Sequence, residues 1–61
     1  MPVVRVEIWP GRTKEQKAEL ARAITDDVCR ILNAKPESTT VIFTEVPKEH
    51  WASGGTLASD K

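Results

Sequence analysis

Within the run Val3 to Trp9, apolar and polar positions alternate singly from Val4 to Ile8, with Val4, Val6 and Ile8 on one side and Arg5 and Glu7 on the other. That period of two, rich in β-branched residues, predicts a strand with one face turned to a core. Pro10-Gly11 breaks it as a turn. The period then changes. Leu20, Ile24, Val28, Ile31 and Leu32 recur at helical spacing, Ala18, Ala21 and Ala23 fall between them, and charged residues take most other positions. Thr13 and Gln16 occupy the two key positions of a capping box, so an amphipathic helix of about five turns starts there and runs to Asn33. Asn33 tolerates the left-handed conformation that closes a helix, and Pro36 forbids its continuation.

Thr39 to Val46 is a second strand by composition. Strand, helix and strand in so short a span make a βαβ unit, with parallel strands and a right-handed crossover. The tail holds a turn over Pro47 to Trp51. Its Ser53-Gly54-Gly55 break precedes Thr56-Leu57-Ala58, which suggests a short strand or hairpin. The fold class is therefore α/β, one domain over residues 1–61. Parallel sheets are normally covered on both faces, and one helix cannot cover both, so self-association must complete the fold.

Length strengthens that expectation. A chain of about 60 residues buries only about 60% of its unfolded surface and usually needs disulfides, a metal or oligomerisation. One cysteine, Cys29, forms no internal disulfide, and one histidine, His50, offers no zinc spacing, which leaves oligomerisation. Nine basic and nine acidic residues give zero net charge, which argues against nucleic acid or an anionic membrane as partner. No apolar run approaches the roughly 20 residues that span a bilayer, and no signal-peptide pattern is present, so the expected location is cytoplasmic.

The candidate chemistry sits at the start. Initiator methionine is usually trimmed before a small residue, which would leave Pro2 with a free secondary amine held by the strand behind it. An α-amino group has an ordinary pKa of about 7.7–8.0, and an apolar site lowers it towards neutrality, where a base moves protons well. Arg12 lies just before a helix amino terminus, a place that favours an anion. Trp51 and Trp9 are the large aromatics able to wall a pocket or an interface. His50 reads as structural or surface, Cys29 as a packed small side chain, and Glu7 and Glu45 as strand residues with no evident pairing.

These residues together resemble the 4-oxalocrotonate tautomerase family. The resemblance runs nearly end to end. It is carried by Pro2, the strand, Gly11-Arg12-Thr13 with Glu15-Gln16-Lys17, Val41-Ile42-Phe43-Thr44-Glu45, and His50-Trp51-Ala52-Ser53-Gly54-Gly55. It implies a homohexamer, a trimer of dimers, and cofactor-free proton transfer on a 2-hydroxydienoate. In that scheme Pro2 is the general acid/base, Arg12 binds a substrate carboxylate, and Trp51 stands where the family has a pocket-lining phenylalanine. One position departs. Thr40 matches a second arginine that a neighbouring subunit donates in the family, and a hydroxyl supplies a hydrogen bond but no charge. A hydrogen bond to a charged group is worth roughly 1.5–3 kcal/mol, so the departure bears on a dicarboxylate substrate and on rate. Arg5, Arg22, Arg30, Lys35 and Lys48 are the cations that could supply the missing charge.

Two other readings are weighed against this one. The first adds water to an unsaturated acid, with Pro2 as the acid; the second is a self-associating domain weakened as a catalyst by Thr40. A ribbon-helix-helix DNA binder shares the strand-then-helix opening, but the balanced charge and the β-type run after Thr39 exclude it.

Overall fold

In the computed structural model, which describes residues 1–61, the chain forms β1 (Val3–Ile8), α1 (Lys14–Leu32) and β2 (Thr40–Glu45), then a short antiparallel hairpin of β3 (Ala52–Ser53) and β4 (Thr56–Leu57). Single turns of 3-10 helix fill Pro36–Ser38, Lys48–His50 and Ala58–Asp60. β1 and β2 are parallel, in a register that sets Val3 against Thr40 and Ile8 against Glu45. The βαβ unit and the C-terminal hairpin are both as the sequence leads one to expect. Each strand stops one residue short of its expected end, at Ile8 and Glu45, although the Val46 N–H still donates to the Ile8 carbonyl at 2.8 Å. Thr39 is not in β2 either. Its N–H donates to the Pro36 carbonyl and its hydroxyl to the Lys35 carbonyl, closing the 3-10 turn.

Local chemistry accounts for each boundary. Thr13 Oγ1 accepts from the Gln16 N–H and Gln16 Oε1 accepts from the Thr13 N–H, both at 3.0 Å, completing the capping box. Asn33 ends α1 at φ 58°, ψ 40°, a left-handed position that an asparagine side chain tolerates. Gly54 and Gly55 both have positive φ, 61° and 83°, which a two-residue hairpin loop of the primed type requires.

The helix lies on one face of the two strands. Lys17 Nζ meets Glu45 Oε2 at 2.7 Å at one end, and Cys29 Sγ lies 3.7 Å from Thr39 Oγ1 at the other. Glu45 shares its sheet face with Val4, Val6, Ile8, Val41 and Phe43, so these are the residues under the helix. The opposite face carries Val3, Arg5, Glu7, Thr40, Ile42 and Thr44, all exposed. The helix departs from its expected apolar stripe. Ile24 and Val28 are half-buried, with Lys17, Ala21, Thr25 and Cys29 beside them, whereas Leu20, Ile31 and Leu32 are exposed, the last two at 66% and 64%. Nineteen helical residues span about 28 Å and six strand residues about 20 Å. Cys29 already sits over the beginning of β2, so the last turn of α1 overhangs the sheet.

None of the 61 residues is fully buried. The radius of gyration is 14.4 Å, against about 10–11 Å for a compact chain of this length, and the shortest axis is 14 Å in a body 42 Å long. Fourteen ångströms accommodates one sheet and one helix and no third layer. No helix of the chain is long and apolar enough to cross a membrane.

Candidate active site

The groove at the carboxyl end of β1 is built by its continuation, Ile8, Trp9, Pro10, Gly11 and Arg12, and by Lys48 and Trp51 from the segment that follows β2. Parallel pairing brings these segments together, because Ile8 and Glu45 end their strands side by side. The chain then turns back at Pro47, where the His50 N–H donates to the Pro47 carbonyl at 2.8 Å and the Trp51 N–H to the Lys48 carbonyl at 3.2 Å. Gly11, at φ 117°, provides the backbone freedom that swings Arg12 out of the strand direction ahead of the helix. The cavity has a volume of about 470 Å³, enough for a small organic acid.

Two tryptophans form its wall. The rings of Trp9 and Trp51 meet edge to face, with centroids 5.8 Å apart at 73°. Lys48 Nζ lies 4.7 Å from the centre of the Trp9 ring, a cation–π contact worth about 0.5–1 kcal/mol at an exposed position. Arg12 and Lys48 are both cationic and no carboxylate lines the groove. In a chain of zero net charge, this is a local concentration of positive charge beside an aromatic wall. The helix amino terminus contributes less than its position suggests, because the capping box already occupies the Thr13 and Gln16 N–H groups.

Pro2 and Thr40 lie elsewhere. The Thr40 N–H donates to the Pro2 carbonyl at 3.0 Å, so this pair occupies the amino end of the sheet. Six residues at about 3.3 Å each separate Pro2 from Ile8, which puts it about 20 Å from the groove. The structure thus joins Trp9, Arg12 and Trp51 in one place, joins Pro2 and Thr40 in another, and does not bring the two sets together within one chain. Lys48 is the groove residue that its sequence context marks least, as one of five scattered cations. The signal that could have singled it out is its distance of three residues from Trp51, one tight turn.

The remaining candidates fall outside this groove. His50 is exposed and lines a smaller hollow of about 240 Å³ with Glu7, Val46, Trp51 and Ala52. Cys29 is half-buried against Thr39. Glu7 and Glu45 point to opposite faces of the sheet, Glu45 being held by Lys17.

Comparison with known proteins places this architecture. The model of the family described as tautomerase enzyme matches residues 2–61. The chain belongs to the tautomerase family. Among its relatives, a 2-hydroxymuconate tautomerase of Pseudomonas putida is 42% identical over 59 residues, covering 97% of this chain and 94% of the relative. A probable tautomerase of Bacillus cereus is 43% identical over 61 residues, the full length of both chains. A heterohexameric 4-oxalocrotonate tautomerase from Chloroflexus aurantiacus superposes with a TM-score of 0.92 at 35% identity, covering 98% of this chain and 97% of its own. Named tautomerases are isomerases, so family membership supports an isomerase activity for this chain, and an oligomeric neighbour in the tautomerase family supports self-association.

Proposed function

We propose that this protein is a cofactor-independent tautomerase of 2-hydroxydienoates or similar enol carboxylic acids, acting at sites shared between subunits. Pro2 of one protomer serves as general acid/base over the groove of another. The supporting observation is the separation itself. The anion-binding half, Arg12 with the two tryptophans, and the proposed proton carrier lie at opposite ends of β1, in a chain with no buried residue. A two-fold pairing that runs β1 of one protomer against the reverse direction of the other would set each Pro2 beside the opposite groove, once in each direction. Three such dimers would make the hexamer implied by the resemblance.

The chemistry follows from the groups present. Met1 is 92% exposed in the protomer and its removal would free the Pro2 amine. The lone pair of that amine takes the enol O–H proton, the π electrons shift along the diene as the C=O forms, and the resulting prolinium returns the proton to a carbon of the chain. Proton number and charge are unchanged overall. Arg12 holds the carboxylate and offsets the enolate charge that develops between the two transfers. Trp9 and Trp51 exclude water, which strengthens both effects. Thr40 travels with Pro2 and offers the same site one hydroxyl for hydrogen bonding.

The test uses protein whose mass confirms loss of Met1, with ketonisation of 2-hydroxymuconate followed by absorbance. Protein that keeps Met1, in which the Pro2 nitrogen is an amide with no basic lone pair, should lose roughly 10²–10⁴ in kcat, the usual range for losing a general acid/base. Pro2→Ala keeps a flexible primary amine at that place and should lose less. Unfolding and co-refolding an equal mixture of Pro2→Ala and Arg12→Ala chains should then restore activity. By random pairing roughly a quarter of the shared sites regain both groups. A mixture no more active than its parents would place Pro2 and Arg12 in one chain's site and overturn the shared arrangement.

A further inference from the structure

The groove holds one cation more than the proposed reaction needs for a single carboxylate. Arg12 and Lys48 face it from different segments, one from the turn after β1 and the other from the turn after β2, and no acidic side chain lines the space between them. An exposed lysine normally samples many rotamers. Here the ammonium sits 4.7 Å from the Trp9 ring centre, and Trp9 is braced edge to face by Trp51. The aromatic pair therefore favours Lys48 at the groove wall, and the N–H donors turned away from the ring stay available to an anion. Neither Lys17, paired with Glu45, nor Arg30, paired with Asp27, is available in this way.

We propose that Lys48 is a second carboxylate-binding residue of the groove, which selects six-carbon unsaturated dicarboxylates over the corresponding monocarboxylates. Arg12 takes the carboxylate next to the reacting enol, in the planar two-point geometry that guanidinium favours. Lys48 takes the distal carboxylate as a point charge, and the diene lies along the indole faces between them. The net charge of the bound complex is then balanced, two cations against two carboxylates. A monocarboxylate leaves the Lys48 ammonium with only Trp9 and water.

This assignment rests on the groove being the enol-acid site proposed above, and its test is a binding measurement that requires no turnover. Both tryptophans of the chain line the groove, so their fluorescence reports occupancy directly. The probes are cis,cis-muconate and sorbate, two six-carbon dienoates that carry two carboxylates and one, and neither has an enol to react. The wild-type assembly should bind muconate about tenfold more tightly than sorbate, the effect of one exposed charge-assisted hydrogen bond. Lys48→Met should abolish that preference by weakening muconate alone, and Lys48→Arg should keep it. Unchanged selectivity in Lys48→Met, or equal weakening of both probes, overturns the assignment, as does wild-type protein without a preference. The probe ratio bears only on Lys48, and the ketonisation assay bears only on the proton-transfer reading.

Discussion

At the scale of single residues the proposed site draws its anion-binding and proton-carrying groups from opposite ends of β1. Arg12→Ala should raise KM by about 10- to 100-fold through the lost carboxylate contact, and should also lower kcat, because the charge that offsets the developing enolate goes with it. Arg12→Lys should recover only part of that loss, since an ammonium cannot reproduce the two-point contact of guanidinium. Steady-state kinetics on Met1-free protein checks both; a change confined to kcat would mean that Arg12 acts on the transition state and not as a substrate clamp. Trp51→Phe should keep kcat within several-fold, because a phenyl ring still excludes water and still meets Trp9 at its edge. Individual residue types pointed to these roles from the sequence alone, but their grouping was less visible. Arg12 and Trp51 are 39 residues apart, and only the parallel return of β2 places them together. That Pro2 stands at the other end could be read from strand length alone, since six extended residues span about 20 Å.

At the scale of elements, what is governed by neighbours in sequence was legible and what depends on the end of another element was not. The capping box, the left-handed Asn33 and the Gly54-Gly55 loop each arise within four consecutive residues at most, and each lies where its residue types indicate. Ile31 and Leu32 match the helical period but overhang a sheet that has already ended, a fact that no periodicity within the helix contains. The cap at Asn33 gives a direct test. Asn33→Ala should cost about 1 kcal/mol, because an L side chain other than Asn or Asp is strained in that region, whereas Asn33→Gly should be neutral or slightly stabilising. Thermal unfolding of the three proteins at one concentration measures it, and equal transition temperatures for all three would mean that the turn relaxes when its residue changes.

At the scale of the whole molecule, the protomer is a layer in need of a neighbour. Val3 and Ile42 stand on the sheet face opposite the helix, and Leu20, Ile31 and Leu32 add apolar surface on the helix itself. Ile42→Asp puts a charge on the uncovered face without touching the groove. It should therefore dissociate the assembly and remove activity although Pro2, Arg12 and Trp51 are intact. Light scattering coupled to gel filtration, run beside the absorbance assay, checks this; an active Ile42→Asp monomer would refute both the interface and the shared site. The wild-type transition temperature should also rise with protein concentration, since folding and association are linked.

The distance along β1 has one further consequence, in the rate law. An ordinary enzyme has a turnover per chain that is independent of how many chains are present. Under the shared arrangement proposed above, a lone chain carries half of two different sites and completes neither, so at high dilution the initial velocity should grow as the square of total chain concentration and become linear only when association saturates. The same arrangement would make an inactive allele partly dominant, because a Pro2-deficient subunit mixed into the assembly would silence grooves that belong to its normal partners.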